Sequence, residues 1–130
     1  MGILGNCAIL AAFTTIGAPA PVGSAQERSL AVYARVSTLE GSPELIDDGL
    51  RYLREEILPT GKDDPGFKGL IALADCNSGK TLSITLWESE EDMRATEQDA
   101  NQLRSAWSET SGQQIVSVES YEVGLFEVES

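Results

Sequence analysis

An α+β fold, with four strands and two helices in the order β-α-β-β-α-β, is predicted for this chain by three observations. Apolar and polar residues alternate in four stretches, apolar residues recur every three or four positions in two others, and Gly, Pro, Ser and Asn gather at the joints. A chain of 130 residues with 42% hydrophobic content can bury one core, yet is small enough to gain from dimerisation. One domain over 29–130 is therefore expected, preceded by an extension and linker over 1–28.

The first strand is "SLAVYARVS", in which Leu30, Val32, Ala34 and Val36 share one face and Ala31, Tyr33, Arg35 and Ser37 the other. The expected assignment turns Tyr33 and Arg35 away from the helices, with Arg35 paired to Glu119 or Glu122 across a dimer interface. In "GSPELIDDGLRYLREEILP", Ser42 is placed to cap a helix with Pro43 at its first position. Ile46, Leu50 (or Gly49), Leu53 and Ile57 form its apolar stripe, and Pro59 and Gly61 are expected to end it.

After the loop "TGKDDPG", the stretches "FKGLIALADC" and "KTLSITLWE" read as a hairpin around "NSG", where Gly79 can take a positive φ. Ser89 followed by Glu90, Glu91 and Asp92 opens the second helix with acid on its positive dipole end. Met93, Thr96, Ala100, Leu103 and Trp107 form its buried stripe. "SGQQ" breaks that helix, and "IVSVESYEVGLFEV" is expected to be one long last strand. This order is the split ferredoxin-like arrangement, a four-stranded antiparallel sheet with both helices on one face. The other face also carries apolar residues, and a second copy covering it would make a dimeric α+β barrel.

Charge and residue counts exclude several functions. Net charge is −12, with 21 Asp and Glu against 9 Lys and Arg and no basic cluster, so phosphate backbones and anionic membrane surfaces are disfavoured partners. Histidine is absent, which removes Ser-His-Asp and Cys-His hydrolysis, His-ligated zinc and proximal-His haem. No metal site is expected. Glu88 to Asp92 point in different directions along a helix start and read as a solvated, dipole-matched turn; Asp47–Asp48 and Asp63–Asp64 read as surface and loop. Cys7 and Cys76 lack motif spacing and read as unpaired thiols.

The apolar run Ile3 to Ile16 precedes "GAPAPVGSAQERS" and resembles a signal core, but no Lys or Arg stands before it. It is also shorter than the ~20 apolar residues of a membrane span. The expected location is cytoplasmic, with export through an atypical signal as the other reading.

"PGFKGLIALAD" at Pro65 to Asp75, "TLSITLWESEEDM" at Thr81 to Met93 and "VESYEV" at Val118 to Val123 occur in an order and spacing similar to the antibiotic biosynthesis monooxygenase family. The resemblance runs from about Leu30 to Val128 and implies a homodimeric α+β barrel. It further implies a cofactor-independent oxygenase in which a small aromatic phenol or quinol supplies the reducing power. In that branch the tryptophan of the WES motif lines the cavity, which here is Trp87. The branch's asparagine four residues earlier is Ser83, its tyrosine six residues later is Met93, and Arg104 is the nearest substitute for an arginine of the second helix. The haem-degrading branch matches less well. Its first-strand asparagine corresponds to Ala34, its second-helix tryptophan to Thr96, and its histidine has no counterpart.

Trp87 and Ser83 are thus the candidate catalytic residues, and Ala34, Leu50, Thr85, Met93 and Thr96 the candidate pocket. Ser83 and Thr85 project to the same face as Trp87, where polar atoms need partners or a cavity. Each residue also has a plain structural reading: Trp87 seals the sheet-helix seam, and Leu50, Met93 and Thr96 are core. A non-catalytic ligand-binding or structural dimer module is the alternative function.

Overall fold

The computed structural model describes residues 32–129; the predicted extension and the start of the predicted first strand, Ser29 to Ala31, lie outside the described residues. Strand β1 (Tyr33–Glu40) is followed by a 3-10 turn at Pro43–Leu45 and helix α1 (Ile46–Tyr52). A π-helical stretch, Leu53–Ile57, leads into α2 (Leu58–Lys62). The helical path therefore runs past Pro59 and Gly61, which were expected to end it. Pro59 lies in the first turn of α2, where an amide hydrogen is dispensable, and the wider π turn makes room for the ring. The Thr60 hydroxyl donates to the Glu56 carbonyl at 2.9 Å.

Strands β2 (Phe67–Asp75) and β3 (Lys80–Trp87) form the predicted hairpin, with Gly79 at φ 84°. The second helix is divided into α3 (Glu90–Ala95) and α4 (Glu97–Ser111), and the Ser89 hydroxyl caps α3 by accepting from the Asp92 amide at 3.0 Å. Gly112, at φ 85°, closes α4 in the left-handed conformation. β4 (Gln114–Glu122) is shorter than expected, and just beyond it Val123 N donates to Val32 O at 2.7 Å. Leu125, Phe126 and Val128 beyond it are exposed.

The four strands form one antiparallel sheet in the order β2-β3-β1-β4. This is the ferredoxin-like α+β architecture. Residues paired across neighbouring strands share a face, and β1 opposes β3 as Tyr33 with Trp87, Arg35 with Thr85, Ser37 with Ser83 and Leu39 with Thr81. That set faces the helices. Leu39, Leu53 and Trp107 form the core there, joined by Leu50, Tyr52, Ile57 and Leu70.

The face assignment of β1 is thereby corrected. Arg35 and Ser37 turn toward the helices and Ala34 away from them. Ala34 packs with Leu86, Ile84 and Val123 on the open side. Apolar character alone cannot assign a face when both alternating sets contain apolar residues. Cys76 is likewise not a free thiol, because sequence spacing does not report proximity in the fold; Cys7 lies outside the described residues. Among the described residues, no helix is long and apolar enough to cross a membrane.

Candidate functional site

The helix-facing side of the sheet is polar at its centre. Ser83, Thr85 and Trp87 alternate along β3, and the β1 register brings Ser37 and Arg35 beside them. α4 lies above and contributes Thr96, Ala100, Leu103, Arg104 and Trp107; Ile57, Gly61, Asp64 and Phe67 complete the lining. These residues line a cavity of about 60 Å³ that Asp99 also borders.

Trp87 is 2% exposed and held on three sides. Its indole N–H donates to the Thr85 hydroxyl at 3.0 Å, and Phe67 meets it edge-on with centroids 5.5 Å apart. The Arg35 guanidinium carbon stands 5.7 Å from the ring centroid, within cation–π range. Because Thr85 occupies the indole hydrogen, Trp87 offers the cavity a ring rather than a donor.

Donors come from two arginines. The break between α3 and α4 leaves the Met93 carbonyl outside a continuous helix, where Arg35 Nη2 donates to it at 2.6 Å and the Thr96 hydroxyl at 2.9 Å. Arg35 Nη2 also approaches Thr96 Oγ1 at 3.3 Å. From α4, Arg104 donates Nε to Ser37 Oγ at 3.0 Å and Nη1 to Asn101 Oδ1 at 2.7 Å. Both side chains are buried, and burial is the main force lowering both pKa values, opposed by Glu97 and, for Arg35, Asp64. Arg35 lowers that of Arg104 further, so the two cations disfavour each other. Asp64 is shifted the other way: burial first, then Asp99 and Asp63, raise its carboxyl above the usual range, against the pull of Arg35.

Of the residues expected from sequence, Trp87, Ser83, Thr85 and Thr96 line this cavity. Met93 is buried and supplies its carbonyl rather than a lining side chain. Leu50 packs in the Leu39 cluster, and Ala34 lies on the opposite face. Arg35, Ser37, Phe67, Asp64 and Asp99 were missed as lining residues. The signal that could have found the first two is the antiparallel register, which must place them beside Thr85 and Ser83 once β1 and β3 pair. Among the described residues, no group of three or more His, Cys, Asp and Glu side chains is placed to hold a metal ion.

No family model matches the chain. The uncharacterised protein Rv2557 of Mycobacterium tuberculosis H37Rv is 29% identical over 98 residues, 75% of this chain and 44% of that protein. Rv2558 of the same strain is 35% identical over 69 residues, 53% of this chain and 29% of that protein. The chain thus spans less than half the length of these curated relatives. Among solved structures, the ActVA-Orf6 monooxygenase of Streptomyces coelicolor, in complex with nanaomycin D, has a TM-score of 0.62 at 16% identity, covering 78% of this chain and 95% of that one. The chain has the antibiotic biosynthesis monooxygenase fold. A Deinococcus radiodurans chain named for that group has a TM-score of 0.52 at 17% identity, covering 75% and 96%. A dimeric ferredoxin-like protein from an uncultured marine organism matches at 0.55 and 8% identity over 81% and 99%. In this shared fold the cavity beside Trp87 lies between sheet and helices.

Proposed function

We propose that the cavity beside Trp87 binds a small aromatic phenol or quinol and that the chain acts on it as a cofactor-independent monooxygenase. The observation that carries this reading is the convergence of Arg35 and Arg104 on a cavity whose other wall is the Trp87 ring. Oxidation of a phenol by dioxygen begins with loss of the phenolic proton, and the electron-rich anion then supplies the electrons. For the simplest case, phenol and dioxygen give benzoquinone and water, so no external reductant is needed. A protein promotes this by taking the proton and holding the developing anion with fixed donors in a site shielded from water. Asp64 is suited to the first task and the guanidinium groups to the second. Ser83 adds a hydroxyl to the same wall.

A non-catalytic ligand-binding module is the second reading, and two observations favour it. Ser83 and Met93 stand where the resembling branch has asparagine and tyrosine, and the 60 Å³ cavity is smaller than the ~150 Å³ that holds a benzene ring in an engineered core. Catalysis therefore requires side chains at the mouth to move.

An oxygen electrode separates the two. With a phenol or quinol as sole substrate, the wild-type chain is expected to consume dioxygen above the uncatalysed rate. Arg104→Gln is expected to lower kcat by ~100-fold, as loss of an oxyanion donor does. Ligand binding without oxygen uptake across a phenol and quinol panel would sink the oxygenase reading.

We also propose a homodimer in which a second copy covers the open sheet face. Ile71 and Leu73 on β2 and Tyr121 on β4 are exposed there, and the marine neighbour of the same fold is described as dimeric.

A further inference from the structure

Buried arginines are normally matched by carboxylates, since an ion taken out of water without a counter-ion is costly. Here no carboxylate among the described residues pairs directly with two buried arginines, in a chain with acid to spare; Glu97 and, for Arg35, Asp64 act on them only from beyond ion-pair distance. The ion pairs among the described residues are Arg51 with Asp48, Lys68 with Glu88, Lys80 with Glu40 and Arg94 with Glu90, all at least partly exposed. Arg35 and Arg104, 6% and 7% exposed, are in none of them. Their acceptors are a carbonyl, two hydroxyls and an amide oxygen, which orient the guanidinium planes without neutralising them.

These bonds leave donors over. Arg35 engages only Nη2, so its Nε and Nη1 hydrogens have no partner among the described residues; Arg104 Nη2 is in the same position. The fully enclosed unpartnered side-chain atoms among the described residues are Trp107 Nε1 and Gln113 Oε1. The unused guanidinium hydrogens are not among the fully enclosed atoms, and both arginines line the cavity.

From this arrangement we infer that the ligand is an aromatic carboxylate, whose carboxylate group enters between Arg35 and Arg104 while its ring rests on Phe67, Leu103 and Ile57. The inference deepens the proposed aromatic-binding function and rests on it for the site alone, not for the oxidation. Guanidinium and carboxylate are both planar and pair through two parallel N–H···O bonds, a match that neutral phenols lack. The small cavity supports the assignment, because 60 Å³ accepts a carboxylate but not a ring. The anion would also relieve the mutual repulsion of the two arginines. Asp64 and Asp99 line the same cavity and oppose an anion, but neither pairs with an arginine within 4.0 Å.

The test uses the full chain and four probes: benzoate, its uncharged isostere benzamide, phenol and 4-hydroxybenzoate. Titration calorimetry at neutral pH is expected to show benzoate binding at least about tenfold tighter than benzamide, with added salt weakening benzoate alone. Arg35→Met and Arg104→Met are each expected to abolish that preference, whatever the loss of their hydrogen bonds to Met93, Thr96, Ser37 and Asn101 does to the melting temperature. A purely structural role for the arginines predicts folded variants that keep the preference. Equal affinity for benzoate and benzamide in the wild type, or no binding of either, overturns the inference whatever the variants do. If a variant fails to fold, the wild-type ratio decides. Benzoate preference without oxygen uptake from 4-hydroxybenzoate or the other phenols would retire the oxygenase and leave this inference standing. Uptake from neutral phenols with no benzoate preference would do the reverse.

Discussion

Asp64 brings a carboxyl group into a cavity that also holds two guanidinium groups, and its titration reports which of them governs it. Burial raises its pKa, with Asp99 and Asp63 adding to the shift and Arg35 opposing it. A carboxyl whose folded pKa exceeds the unfolded value binds more protons in the native state, so stability falls as pH rises from the ordinary carboxylate range through the raised value. Above that window the loss is constant. Asp64→Asn removes it and is expected to raise the melting temperature at neutral pH, with the difference from wild type vanishing when the pH falls below the ordinary carboxylate range. A melting-temperature series across that range checks this; a melting temperature lowered by Asp64→Asn at neutral pH would mean that Arg35 controls Asp64. Trp87 shows why the sequence told only half of its role. Its position at the strand-helix joint was legible, but whether its N–H was available depended on Thr85, two residues away on the same face.

At the level of elements, what was legible follows the range of the interaction. Alternation, caps and turn residues act within a few positions, so the two hairpin strands, the Ser89 cap and the Gly79 and Gly112 turns were readable. The break at Thr96 was not, because it is held from outside: Arg35, 58 residues earlier in the chain, donates to the Met93 carbonyl that the break releases. The Ser37–Arg104 bond spans 67 residues, and it is this partner that lets a serine face the helices. A local feature gives the firmest element-scale prediction. Gly79 has φ 84°, and a Cβ there would overlap the Gly41 carbonyl oxygen of the neighbouring loop, a backbone atom that cannot swing aside. Gly79→Ala is expected to cost ~1–3 kcal/mol from the backbone conformation alone. Urea unfolding of the purified variant measures it, and a midpoint equal to wild type would show that the turn can rearrange without loss.

For the whole molecule, the sheet has two faces with different needs. The helix side hides polar residues in mutual hydrogen bonds around a cavity, while the open side presents Ile71 at 41% and Leu73 at 48% exposure on an edge strand. The charge balance sharpens the contrast: a net −12 keeps copies apart in solution, so association needs apolar area to outweigh it. Sequence could show that both faces carry apolar residues, but not which one the helices take, and that choice is what turned Arg35 from an interface residue into a cavity residue. If a second copy covers the open face, light scattering at micromolar concentration gives twice the 13.9 kDa chain mass, and higher salt strengthens the dimer by screening repulsion. Leu73→Lys places a charge in that contact and is expected to yield a folded monomer. Because Leu73 faces away from Trp87, the variant should keep the benzoate affinity of the wild type. A monomeric wild type would remove the dimer and leave the open face to a different partner; a variant that turns monomeric and also loses benzoate would show instead that the second copy helps to shape the cavity.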